Sequence, residues 1–146
     1  FTPAWMRRGQ KLVQELTNLG YAQFSEAETR NQLIETCPEA IFTSLLGHTP
    51  FPADALEGRI QRQLVLWDNR LPVRDPMTFF EEVTRHKLLR GILPDQAILP
   101  IAQLNALAAA HAAYLAAIHP ERVTRYGEPE EGEIVLPAFW KPEAIE

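Results

Sequence analysis

The chain has 146 residues, 46% of them apolar, with 19 acidic and 14 basic side chains and a formal net charge of −5. That length supports one domain with a real core, and the composition is globular rather than disordered. The acidity disfavours a general nucleic-acid binder, and the single cysteine, Cys37, excludes a disulfide framework and an all-cysteine metal site.

The first residue is Phe1, which points to a trimmed or partial chain, and Phe1–Arg8 lacks the apolar stretch of a secretory signal. No apolar run approaches the roughly 20 residues of a membrane span. A cytoplasmic protein with no membrane association is therefore expected.

Twelve prolines stand against seven glycines, and many of them punctuate helices. Thr2-Pro3 opens a first helix in which Trp5, Leu12, Val13, Leu16 and Leu19 recur at helical spacing, and Gly20 closes it. Ser25-Glu26-Ala27-Glu28 reads as a capping box opening a second helix to about Thr36, with Leu33 and Ile34 inward. Pro38 starts a third helix through Ile41, Phe42, Leu45 and Leu46, ended by Gly47. Beyond the stiff connector 48–52, Leu56, Ile60, Leu64 and Trp67 form the apolar stripe of a fourth helix, with Glu57, Arg59, Arg62 and Asp68 away from its centre. Asp75-Pro76 caps a fifth helix carrying Phe79, Phe80, Val83, Leu88 and Leu89 up to Gly91. Pro100 opens the longest, to about His119.

The expected fold is thus all-α: about six helices in a compact orthogonal bundle (residues 1–120) followed by an extended C-terminal arm (121–146). The sixth helix has two apolar faces. Leu104, Leu107, His111, Tyr114 and Ile118 form a heptad-like seam, and Ala102, Ala106, Ala109, Ala113 and Ala117 form a small-residue face open to close backbone approach. In the arm, an acidic stretch Glu128–Glu133 precedes Ile134-Val135-Leu136-Pro137-Ala138-Phe139-Trp140, whose prolines impose an extended path. These large apolar residues either dock on the domain's own surface or grip another chain. Residues 121–146 carry seven acidic and three basic residues, so the acidity belongs mainly to the arm.

Residues for catalysis are scarce. There is no C-x-x-C, H-x-x-x-H or H-E-x-x-H pattern among His48, His86, His111, His119 and Cys37, so no metal and no cofactor is expected. Ser44 has no nucleophile elbow, Cys37 has no identifiable basic partner, and the glycines are too scattered for a phosphate loop.

Two blocks carry a family resemblance. Phe1-x-Pro3-Ala4-Trp5-x-x-Arg8 with Gly20 and Glu28, then Phe79-Phe80-Glu81, Leu88-Leu89-x-Gly91-Ile92-Leu93, Leu104 and Leu107, resemble the helical N-terminal region of nitrile hydratase β subunits and their accessory proteins. Residues 38–74 have no counterpart there, and neither the β subunit's C-terminal barrel nor the α subunit's metal-holding cysteine cluster is present. The resemblance implies a non-catalytic helical subunit or assembly factor that wraps a metalloenzyme subunit.

The leading reading is accordingly a non-enzymatic accessory subunit that binds another protein or itself. Its contact residues would be Leu104, Leu107, His111, Tyr114, Ile134, Leu136, Phe139 and Trp140. A second reading is a small ligand-binding module or enzyme using His111, Tyr114 and an arginine in an interior pocket. A third is anion or nucleic-acid binding through Arg85, Lys87 and Arg90, with the arginines flanking the fourth helix.

Overall fold

Proline and glycine bracket the helices much as expected in a computed structural model that describes residues 1–24, 30–128 and 131–139. Among these residues the helices are α1 (Ala4–Asn18), α2 (Pro38–Leu46), α3 (Leu56–Asp68), α4 (Thr78–Glu82), α5 (Arg85–Leu89) and α6 (Ile101–Ile118). Pro3 and Pro100 stand at the N-caps of α1 and α6, and Pro38 lies in the first turn of α2. Gly47 ends α2 in the left-handed conformation, φ 76°.

The all-α expectation fails in two places. Short strands β1 (Ala22–Gln23) and β2 (Gln32–Leu33) pair in parallel, and β3 (Val123–Glu128) pairs antiparallel with β4 (Gly132–Pro137). The second pair explains why the arm is not a loose tail. Val123, Thr124 and Tyr126 favour strand geometry, and β4 supplies the partner that satisfies their backbone groups. The hairpin tethers to its own domain through Thr36 Oγ1 donating to the Val135 carbonyl (2.7 Å) and Ser44 Oγ donating to the Pro137 carbonyl (2.6 Å). Trp140 and the rest of the chain beyond it lie outside the described residues.

Two further expectations change. The second helix is not formed where it is described: Gln32–Leu33 is a strand, while the capping box at 25–29 lies outside the described residues. The fifth helix divides into α4 and α5. Val83 and Thr84 leave helical geometry, and Thr84 Oγ1 accepts from the Lys87 amide to start α5 afresh.

The chain falls into two units, Phe1–Glu35 and Thr36–Glu146. In the first, α1 buries none of its residues, and Trp5, Leu12, Val13 and Leu19 remain exposed. Trp5, Met6 and Val13 face Leu33 and Ile34 across a hollow of about 610 Å³.

The second unit packs α2, α3, α6 and β4 around Ile41, Phe42, Leu66, Leu104, Ala108, Ala112 and Val135. A satellite cluster joins Phe79 and Ile98 to Leu56, Ile60 and Val83. Its least expected core residue is Arg62, fully buried on α3 although the helical pattern placed it outside. One terminal nitrogen, Nη2, donates to both carboxylate oxygens of Glu39 (2.9 Å each), and Nη1 donates to the Phe51 and Gly58 carbonyls. The guanidinium also lies over the Phe42 ring, 5.4 Å from its centroid. Next to it, buried Gln63 donates to the Arg74 and Ala97 carbonyls and accepts from the Leu99 amide. The inward face of α3 is therefore Gly58, Arg62, Gln63, Val65 and Leu66, while Trp67 stays 43% exposed.

The stretch Asp95–Ile118 is long and apolar enough, by length and composition, to cross a bilayer (mean hydropathy 1.4), contrary to the expectation from the sequence. That hydropathy belongs to an 18-residue window of the stretch, of which a third is buried within the fold.

A carboxylate facing a buried guanidinium predicts a measurable penalty for its loss. Glu39→Ala should cost about 2–3 kcal/mol in urea unfolding, below the roughly 3–5 kcal/mol of a fully enclosed pair because Glu39 is half exposed. Gly58→Ala should also destabilise, by about 1–3 kcal/mol, because a Cβ there overlaps the Pro52 carbonyl oxygen.

Candidate functional site

The most functional-looking concavity lies in the second unit, where the end of α3 meets the C-terminal half of α6. It holds about 420 Å³ and is lined by Asn69, Arg70, Leu71, Pro72, His111, Tyr114, Leu115, His119 and Arg122. Every lining residue follows from local chain geometry. The residues 69–72 form the turn out of α3, and Tyr114 and Leu115 lie three and four residues after His111 on α6, hence on the same side of one helix. Arg122 closes the single 3-10 turn Pro120–Arg122 that follows His119.

His111 is 8% exposed, and its Nε2 is buried with no hydrogen-bond partner among the described residues. Burial disfavours the imidazolium, and the Arg122 guanidinium adds repulsion, so its pKa lies below the ordinary 6.5. Tyr114 and His119 meet edge to face, with centroids 6.1 Å apart. Arg70 and Arg122 enter no ion pair among the described residues, whereas Arg62, Arg74 and Arg125 do. Glu121 lies 3.4 Å from His119 Nδ1 and lines a smaller neighbouring cavity rather than this cleft.

The structure distributes the contact residues expected from the sequence unevenly. Leu104 is buried in the core, Leu107 is half-buried, and His111 and Tyr114 sit on the cleft. Ile134 and Leu136 point to the side of the hairpin opposite buried Val135, where Ile134 pairs with exposed Tyr126. Phe139 is 55% exposed and its ring covers Gly47. Trp140 lies outside the described residues. Of the basic trio, Lys87 donates to the Glu82 carbonyl, while Arg85 and Arg90 are exposed at either end of α5. Arg70 and Arg122 did not stand out in the sequence as a pair. They are 52 positions apart, and only the return of α6 past the end of α3 joins them.

On α6 the buried stripe is Leu104, Ala108, His111, Ala112, Leu115 and Ala116. The opposite face is exposed and carries Ala102, Ala106, Ala110, Ala113, Ala117 and Ile118, with no charged residue over five turns. Among the described residues no three His, Cys, Asp or Glu side chains cluster as metal ligands. No family model, curated protein or solved structure matches the chain.

The depressed His111 pKa fixes the sign of a pH effect. The unfolded chain takes up a proton near 6.5 while the folded chain takes it up only at lower pH. This contribution to stability is therefore complete above 6.5 and is lost as pH falls from there through the folded-state value. Urea midpoints should fall with acidification across that window, and His111→Gln should flatten this part of the curve.

Proposed function

We propose that this chain is a non-catalytic subunit that acts by protein–protein contact, and that the outer face of α6 is the contact surface. The observation that carries the reading is the exposed, charge-free length of that face. Charged groups cover most exposed helix faces, and an uncharged apolar stripe left in water marks an interaction site. Alanines at positions 102, 106, 113 and 117 let another backbone approach closely, and Tyr114 and Ile118 supply larger anchors at the C-terminal end. The fitting partner is an uncharged helix of another subunit, because a charged one would be desolvated there without a counter-charge. The two blocks similar to nitrile hydratase β subunits and their accessory proteins point the same way, toward a subunit that serves a metalloenzyme. The exposed apolar side of α1 offers a second surface of the same kind.

Native mass spectrometry of the protein purified from its source cells tests this. A stoichiometric complex or oligomer is expected, and Ala106→Glu with Ala113→Glu should dissociate it while leaving the circular dichroism unchanged. A monomer in both forms, or binding of the wild-type chain to lipid vesicles in place of protein, would overturn the reading.

A further inference from the structure

We propose that the cleft between α3 and α6 binds a small-molecule oxyanion, a phosphate or carboxylate group held by Arg70 and Arg122 with its apolar remainder on Leu71, Pro72 and Leu115. Three observations converge on it.

The first is charge. Two arginines line one cavity and neither has a carboxylate partner among the described residues, and the nearby Glu121 is turned to His119. Both arginines lie just beyond helix C-termini, whose partial negative charge of about half a unit each is smaller than the two full cations. The cleft keeps a positive excess, and arginine's planar fork suits an oxyanion.

The second is an unmet hydrogen bond. His111 lines this cavity and is more than nine-tenths buried, and its Nε2, itself closed to solvent, has no hydrogen-bond partner among the described residues. Tyr114 lines the same cavity.

The third is where Arg70 stands. α3 ends with the Leu71 amide bonded to the Leu66 carbonyl and the Arg70 amide to the Trp67 carbonyl. This closing motif puts residue 70 in the left-handed region, φ 66°. α1 and α5 end with the same bonding pattern and place Gly20 and Gly91 at the corresponding position. Among the described residues only α3 puts a bulky side chain there, against its backbone preference. Arg70 is one of the residues that line the cleft.

That placement separates binding from folding in the test. Isothermal titration of the purified protein with inorganic phosphate and with phenyl phosphate should give one saturable site. Phenyl phosphate should bind more tightly because its ring covers the apolar wall. Arg70→Gly should weaken both probes by about tenfold or more while leaving the melting temperature equal or higher, since glycine suits φ 66°. Arg122→Gln should weaken binding similarly, and Arg90→Gln, a cation outside the cleft, should not. The proposal is overturned by the absence of saturable binding to either probe. Equal affinity of the two probes, unchanged affinity in Arg70→Gly and Arg122→Gln, or an equal loss in Arg90→Gln also overturns it.

Discussion

The second unit depends on a polar contact in the middle of an apolar core. Arg62 and Gln63 are adjacent, fully buried, and together reach Glu39 on α2, the 51–52 connector, the linker before α4 and the connector before α6. Burying a guanidinium is costly unless hydrogen bonds replace its water, and here four hydrogen bonds from Nη1 and Nη2 and an aromatic face do so in large part, while Nε has no partner among the described residues. The return is directional. Apolar packing alone tolerates sliding, whereas Gln63 accepts only one placement of Ala97, Leu99 and Arg74. The satellite cluster around Phe79 and Ile98 is thereby held against α3, and α6 begins where Leu99 is pinned.

Local signals carried much of the helical architecture. Pro38 and Gly47 bound α2, and Pro100 opens α6, because proline at a helix start and glycine at its end act through nearest-neighbour stereochemistry. What was illegible depends on distant partners. Arg62 reads as a surface residue in a helical pattern, since burial of a charge requires Glu39 and two carbonyls that no periodicity displays. The arm 134–137 reads as extended, correctly, but its pairing with 123–128 needs a register that alternation alone does not supply. The break at Val83-Thr84 shows a local signal losing to another local one: the threonine side chain satisfies a helix start better than it continues a helix.

The site divides in the same way. His111 and Tyr114 were recognisable as chemistry-bearing residues on a helix otherwise made of alanine and aliphatics. Arg70, in a turn, groups with the arginines flanking the expected fourth helix rather than with these two residues, and Arg122, beyond a helix end, did not stand out. The turn itself holds the one signal available from sequence: Asn69-Arg70-Leu71 occupies the helix exit where α1 and α5 use glycine. A missing glycine at a left-handed position marks a side chain retained against local preference.

Both surfaces meet on α6, and Tyr114 belongs to each. It is 55% exposed on the helix's outer side and also lines the cleft beside His119. A helix packed along Ala106, Ala113 and Ala117 would therefore border the cleft at Tyr114. A ligand held by Arg70 and Arg122 would in turn fix the Tyr114 ring from the other side. Linkage requires such an effect to be reciprocal: whatever the ligand adds to partner affinity, the partner adds to ligand affinity. The sign follows from order. Tyr114 is 55% exposed, so fixing it in one orientation removes part of the entropy the second binder must otherwise overcome. Positive coupling between the two surfaces is the expected consequence of sharing one aromatic side chain.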